Sequence, residues 1–268
     1  MNIEMIFDRL WMHYAAQNPS ARKIKALFMA QGEEVMNDHV AFRTFDYPEV
    51  GIDRIARLFL SIGYEPRAEY EFTEKNLRAR HYEHKTDKSA PRVFISELIT
   101  QRFSPFLREL ALECVRNIPP DVLNSDELLF SGNQWGIPSI ESYNKLRAES
   151  EYAAWVYVFG FRANHFTVSV NSLKKFSALA QVNAFLKENG FLLNTAGGEI
   201  KGTSADLLEQ SSTMADIVPI HFMEGVFDIP SCYYEFAMRH QDANGQLFSG
   251  FIEKSANRIF ESTDFYNK

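Results

Sequence analysis

Cysteine is nearly absent from this 268-residue chain, which holds only Cys114 and Cys232. Two thiols cannot build a disulfide scaffold, and their scarcity fits a reducing, cytoplasmic setting. No run of 18 apolar residues occurs, so no transmembrane helix is expected. The opening residues Met1 to Asp8 carry neither a basic stretch nor an apolar one, and no secretory signal is expected there. Basic charge is also short. Lys and Arg number 28 against 35 Asp and Glu, a net charge of −7, which lacks the basic face that broad nucleic-acid binding requires. Several catalytic signatures are missing too: a G-x-S-x-G elbow, a P-loop, a G-x-G-x-x-G after a strand, H-E-x-x-H and paired C-x-x-C. Serine hydrolysis, nucleotide-phosphate chemistry and structural zinc lose their usual sequence support.

What the chain does have is apolar mass. Hydrophobic residues make up 46% of it, 23 of them Phe, enough for one large domain or two modules sharing a core. Residues 1–32 read as helix, with Ile3, Ile6, Phe7, Leu10 and Trp11 at helical spacing, and Ile24, Leu27 and Phe28 again after Pro19-Ser20. DHVAFRTF (38–45) alternates, with His39, Ala41, Arg43 and Phe45 on one face. GIDRIARLFLSI (51–62) returns to helical period and stops at Gly63. Strand-like stretches follow near 65–72, 76–83 and 92–99. Residues 103–150, broken by Pro119-Pro120, read as a helical insertion. NHFTVSV (164–170) then alternates like DHVAFRTF. Asn171-Ser172 are placed to cap a helix that runs to Gly190, and strand-like stretches fall near 191–195, 206–212, 218–222 and 231–238.

The two halves match in outline, each a strand opened by a His, then a helix ended by a Gly, then strands. The pattern suggests a duplicated β-α-β-β-β module in an α+β fold with a curved mixed sheet around a metal site. The expected organisation is a single catalytic domain over 1–268. Within it, N-terminal helices span 1–32, module one 37–100, the insertion 103–150 and module two 155–268.

Seven histidines carry the chemistry worth weighing. His13 and His240 read as surface or packing residues. His81 and His84, spaced i,i+3 on a strand, point to opposite faces and chelate poorly. His221 reads as a core histidine. His39 and His165 differ, because each opens an alternating segment whose face is shared with small or polar groups. Glu235 in SCYYEFAMR shares a strand face with Tyr233, Ala237 and Arg239. A carboxylate among aromatic residues is costly to bury unless an arginine or a metal meets it. Two imidazoles and one carboxylate form the facial triad that suits Fe(II) and leaves three coordination positions open, enough for a bidentate 2-oxo acid and O2. Arg43 lies four residues beyond His39 on the same face, roughly 13 Å along the strand. Its guanidinium either clamps a substrate carboxylate or pairs with Asp38 or Asp46.

DHVAFRTF, NHFTVSV, GGEIKG, LLEQSSTMAD, YYEFAMR and the tail GFIEKSANRIFEST together resemble the 2-oxoadipate dioxygenase/decarboxylase family, itself similar to hydroxyphenylpyruvate dioxygenase and hydroxymandelate synthase in the vicinal oxygen chelate fold. The resemblance runs from about residue 30 to the end. It implies that His39, His165 and Glu235 hold Fe(II), that Arg43 holds a substrate carboxylate, and that Gln210 and Ser212 line the pocket. It further implies oxidative decarboxylation of a small 2-oxo (di)carboxylic acid with O2, of the 2-oxoadipate to 2-hydroxyglutarate type, a step of lysine catabolism. The chain is shorter than the characterised members of that family. Two rival readings keep the fold. In one, Glu97 serves as a fourth ligand and the protein is a glyoxalase-like lyase or isomerase using Zn or Ni. In the other, it is a non-catalytic module that binds a small ligand.

Overall fold

The alternating and helical patterns are realised in a computed structural model, which describes residues 2–253. In chain order the elements are α1 (Ile3–Gln17), α2 (Pro19–Ala30), β1 (Asn37–Phe45), α3 (Ile52–Ser61), β2 (Tyr64–Phe72), β3 (Leu77–His84), β4 (Arg92–Leu98), α4 (Pro105–Arg116), α5 (Pro120–Leu123), α6 (Ile140–Glu149), α7 (Glu151–Phe159), β5 (Ala163–Ser169), α8 (Leu179–Glu188), β6 (Leu208–Ser212), β7 (Ile217–Phe222), β8 (Gly225–Pro230) and β9 (Glu235–Arg239). The part of the tail motif from residue 254 to 263 lies outside the described residues. Among the described residues no helix is long and apolar enough to cross a membrane.

The chain divides into two interleaved units. One takes residues 1–14, 41–164 and 217–229, and the other takes 15–40, 165–216 and those from 230 onward. Strand β1 contributes its first residues to the second unit and the rest to the first.

In the first unit β1, α3, β2, β3 and β4 form the expected β-α-β-β-β run, with strand order β2-β3-β4-β1 and antiparallel β2–β3 and β3–β4 ladders. Helix α3 buries Ile52, Ile55, Leu58 and Phe59. Phe59 packs on Phe42 and Tyr64 at ring-centroid distances of 5.5 and 5.8 Å. Gly63 ends the helix at φ +99°, and the His84 ring stands 2.6 Å from where a Cβ would sit, so a side chain there meets both backbone strain and a clash. The insertion is helical as expected. Its helices α4 and α6, and α7 that follows it, are each capped by a serine hydroxyl, from Ser104, Ser139 and Ser150.

Helix α7 itself was not foreseen. Its sequence EYAAWVYVF buries every residue after the first, so it carries no polar stripe from which a helical period could be read. The expected strand at 218–222 exists as β7, but it pairs with β8 in a separate two-stranded ribbon. His221 on it is exposed rather than a core histidine, because the outer face of that ribbon meets solvent.

The second unit carries strands in the order β1-β5-β9-β6, with β5–β9 parallel and β6–β9 antiparallel, so its sheet is mixed. Helix α2 packs through Phe28, whose ring lies 5.5 Å from Phe176 and from Phe185 and 6.2 Å from Phe236. Two expectations fail here. The helix expected from Asn171-Ser172 begins only at Leu179. Asn171 is engaged elsewhere: its side-chain amide donates to the Arg239 carbonyl and its side-chain oxygen accepts the Arg239 N–H, both at 2.8 Å. The Glu33 carboxylate meanwhile takes the Lys174 and Lys175 N–H groups at 2.7 and 2.6 Å, which holds that stretch out of a helix. The strand expected at 191–195 shrinks to a single bridge between Leu193 and Thr213.

Candidate metal centre

Three neighbouring strands of the second unit each deliver one side chain to a common point. His39 comes from β1, His165 from β5, and Glu235 is the first residue of β9, set opposite Thr167 of β5 and Ser212 of β6. One ligand atom from each of His39, His165 and Glu235 lies within 4.8 Å of the other two, and all three residues are buried. His165 Nε2 is 3.2 Å from Glu235 Oε2, His39 Nε2 is 3.7 Å from Glu235 Oε1, and the two imidazole rings stand 5.6 Å apart at 82°. Such convergence of electron-pair donors away from water is unfavourable unless a proton or a cation sits among them. Two imidazoles and a carboxylate are the donor set of divalent transition metals, so the residues present fit a metal ion.

The surroundings keep Glu235 in ligating form. Burial alone raises the pKa of Glu235, but the His39 and His165 imidazoles and the Gln210 amide together hold it below the ordinary glutamate value. The carboxylate is therefore ionised at neutral pH. Gln210 Nε2 donates to Glu235 Oε1 at 2.6 Å, while Gln210 Oε1 is buried without a hydrogen-bond partner. His39 Nδ1 lies 2.8 Å from Asp38 Oδ1. Asp38 is itself ionised. Its burial is outweighed by the charge of Arg239 and the bonds from His39 and Arg239, which hold its carboxyl well below the usual range. An ionised carboxylate only accepts, so His39 Nδ1 carries a proton, and its Nε2 faces Glu235. Thr167 Oγ1 lies in hydrogen-bond contact with that Nε2, at 3.0 Å. His165 is held by stacking on Tyr233, at 4.7 Å and 27°.

Sequence reasoning named His39, His165 and Glu235, and the fold brings them together. Among the described residues Glu235 meets no arginine, and its partners are the two histidines and Gln210. Gln210 and Ser212 are both buried, alternate positions of β6. Arg43 falls in the first unit, buried, with its guanidinium carbon 5.1 and 5.4 Å from the Tyr152 and Trp155 ring centres. Of the two acids weighed for it, Asp38 binds Arg239 and Asp46 accepts from Thr100.

Glu97 is also in the first unit and is not one of the three clustered residues. Arg78 pairs with one oxygen and the Ile52 N–H donates to the other at 2.8 Å, at the edge of a cleft of about 680 Å³. The remaining histidines do other work. His81 bonds the Tyr70 hydroxyl, His84 the Ile62 carbonyl and His240 the Glu209 carboxylate. Asp38, Thr167, Tyr233 and Arg239 were not singled out as site residues. The usable signal was that Tyr233, Glu235 and Arg239 share one face of a strand.

A β-α-β-β-β run in the first unit and a buried His-His-Glu group in the second are features of the vicinal-oxygen-chelate fold class. A crystal structure of a protein from Ralstonia eutropha, provisionally assigned to the glyoxalase superfamily, shares the fold with TM-score 0.76 at 21% identity, over 93% of this chain and 84% of that one. Within that class the chain belongs to the 2-oxoadipate dioxygenase/decarboxylase family, whose sequence profile matches residues 8–122 and 127–247. Its resemblance to the hydroxyglutarate synthase of Oryza sativa, crystallised in complex with 2-oxoadipate, has TM-score 0.90 at 32% identity over 97% of this chain and 91% of that one. A protein from Shewanella frigidimarina described provisionally as a hydrolase is similar at 45% identity and TM-score 0.89, over 94% of this chain and 98% of that one.

Proposed function

We propose that this protein is a non-haem Fe(II)-dependent dioxygenase/decarboxylase that converts 2-oxoadipate, or a close 2-oxo acid, to the 2-hydroxy acid one carbon shorter. The observation that carries the reading is the buried His39–His165–Glu235 cluster in a member of this family. Iron held there supplies coordination positions at which a 2-oxo acid and O2 are brought together. Three protein ligands favour this over the four-ligand, proton-transfer reading, because the Glu97 carboxylate is occupied by Arg78 and the α3 N-terminus.

The chain's own residues do the rest. Ionised Glu235 offsets part of the metal charge, and Gln210 fixes one of its oxygens. Arg43 orients a substrate carboxylate through its planar pair of donors. Its position against Tyr152 is firm, because the Tyr152 hydroxyl donates to the Ser96 carbonyl at 2.6 Å and accepts from Thr44 N–H at 2.9 Å. The buried Gln210 Oε1, with Ser212 on the same strand, offers acceptor and donor groups to the substrate. The aromatic, water-poor surroundings of the cluster limit side reactions.

Oxygen consumption by anaerobically iron-loaded protein, measured across a panel of 2-oxo acids, tests this reading. Uptake with matching CO2 release is expected with 2-oxoadipate and little with monocarboxylic analogues. Zn- or Ni-loaded protein that isomerises a substrate without consuming oxygen would replace it with the glyoxalase-like reading.

A further inference from the structure

The family reading leaves Asp38 and Arg239 without a task, yet they form the most heavily bonded charged pair beside the cluster. Arg239 Nε donates to Asp38 Oδ2 at 2.7 Å and Nη2 to Oδ1 at 2.9 Å, a two-point clamp. Both side chains are buried, at 3% and 4% residue exposure. Arg239 Nη1 donates to the Phe248 and Gly250 carbonyls at 2.9 and 2.8 Å. The guanidinium is therefore held from both sides and cannot turn away from Asp38. The Phe251 ring closes the arrangement, 5.2 Å from the Arg239 guanidinium carbon and edge-on to the His39 ring at 4.8 Å.

Burying two charges is seldom the most stabilising way to fill such a space, so the pair calls for a reason beyond stability. The remaining bond of Asp38 supplies one. Oδ1 also takes the His39 Nδ1 proton, so the acid that Arg239 immobilises is the group that sets the orientation and tautomer of a ligand imidazole.

We propose that Asp38, clamped by Arg239, is a positioning residue that keeps the His39 proton on Nδ1 and presents its Nε2 lone pair to the metal. The inference rests on the metal-site reading above. It makes a specific demand of the Asp38→Asn variant. Arg239 Nε donates to Oδ2 and Nη2 to Oδ1, so an asparagine, with a single oxygen, sets its NH2 against an Arg239 donor in either orientation and breaks the two-point clamp. The His39 ring is then no longer held by a fixed acceptor, and both of its tautomers become accessible.

Two measurements on metal-free and Co(II)-titrated protein at pH 8 test this. Long-range proton–nitrogen NMR of the His39 ring in the wild-type protein should show the Nδ1–H tautomer alone, and Asp38→Asn should show a mixture with Nε2–H. Co(II) affinity, measured by chelator competition, should fall roughly 10–100-fold in Asp38→Asn, with an altered Co(II) absorption spectrum. Any other protonation state of His39 in the wild type overturns the proposal, and that result needs no variant to fold. Asp38→Asn binding Co(II) as the wild type does, while Glu235→Ala does not, overturns the positioning role and leaves the metal site standing. Equal Co(II) binding by wild type, Asp38→Asn and Glu235→Ala overturns the metal-site reading, and this proposal with it.

Discussion

Replacing Glu235 with alanine is expected to abolish stoichiometric metal binding. The carboxylate is the one anionic member of the cluster, 3.2 Å from His165 Nε2 and 3.7 Å from His39 Nε2. Its loss leaves two imidazoles with no carboxylate between them, and the Gln210 amide is left pointing at empty space. The fall in affinity should exceed the roughly 10–100-fold typical of losing an outer-shell partner. Elemental analysis of anaerobically loaded protein should read about one metal per chain for the wild type and close to none for the variant. Oxygen uptake with 2-oxoadipate should drop to background. The variant should also lose the thermal stabilisation that added metal gives the wild type, because a ligand that binds only the folded state raises its stability by mass action. An Glu235→Ala protein that keeps its metal and its turnover would place the chemistry elsewhere.

Arg43 carries the second large effect. Two charge-assisted bonds to a substrate carboxylate, each worth about 1.5–3 kcal/mol, correspond to a loss of roughly 10²–10⁴ in kcat/KM when Arg43 becomes methionine. Arg43→Lys should recover part of that loss and not all of it, since an ammonium does not match a carboxylate at two points. Metal content should stay at the wild-type level in both variants, which separates a substrate role from a ligand role. Monocarboxylic and dicarboxylic 2-oxo acids should differ in sensitivity if Arg43 reads the distal carboxylate, and match if it reads the carboxylate beside the keto group. Unchanged kcat/KM in Arg43→Met would reduce Arg43 to a cation packed between the Tyr152 and Trp155 rings.

The parts legible in the sequence are those in which one face of an element is chemically unlike the other. The segment DHVAFRTF became β1, the stripe Ile52, Ile55, Leu58 and Phe59 became the buried face of α3, and Gly63 became its stop at positive φ. The cluster was legible for the same reason. His39, His165 and Glu235 each interrupt a strand face with a group that is expensive to bury, and that expense is visible without knowing which strands are neighbours.

What the sequence hid depends on partners distant in the chain. Helix α7 shows no period, because apolar residues surround it on every side. The helix expected at Asn171-Ser172 lost to bonds that reach Arg239 and Glu33, 68 and 141–142 residues away. Asp38 was weighed only against Arg43, its near neighbour, whereas the fold gives it Arg239, 201 positions on. Short-range pairing is the natural guess from a sequence, and a sheet whose adjacent strands are β1, β5 and β9 defeats it.

Diffraction from anaerobically grown, Fe(II)-soaked crystals, collected on both sides of the iron absorption edge, addresses the central claim most directly. The account predicts one anomalous peak at bonding distance, about 2.0–2.2 Å, from His39 Nε2, His165 Nε2 and a Glu235 oxygen, with Asp38 still bonded to His39 Nδ1. A peak at another set of side chains, or none at this cluster while the crystals contain stoichiometric iron, would contradict it.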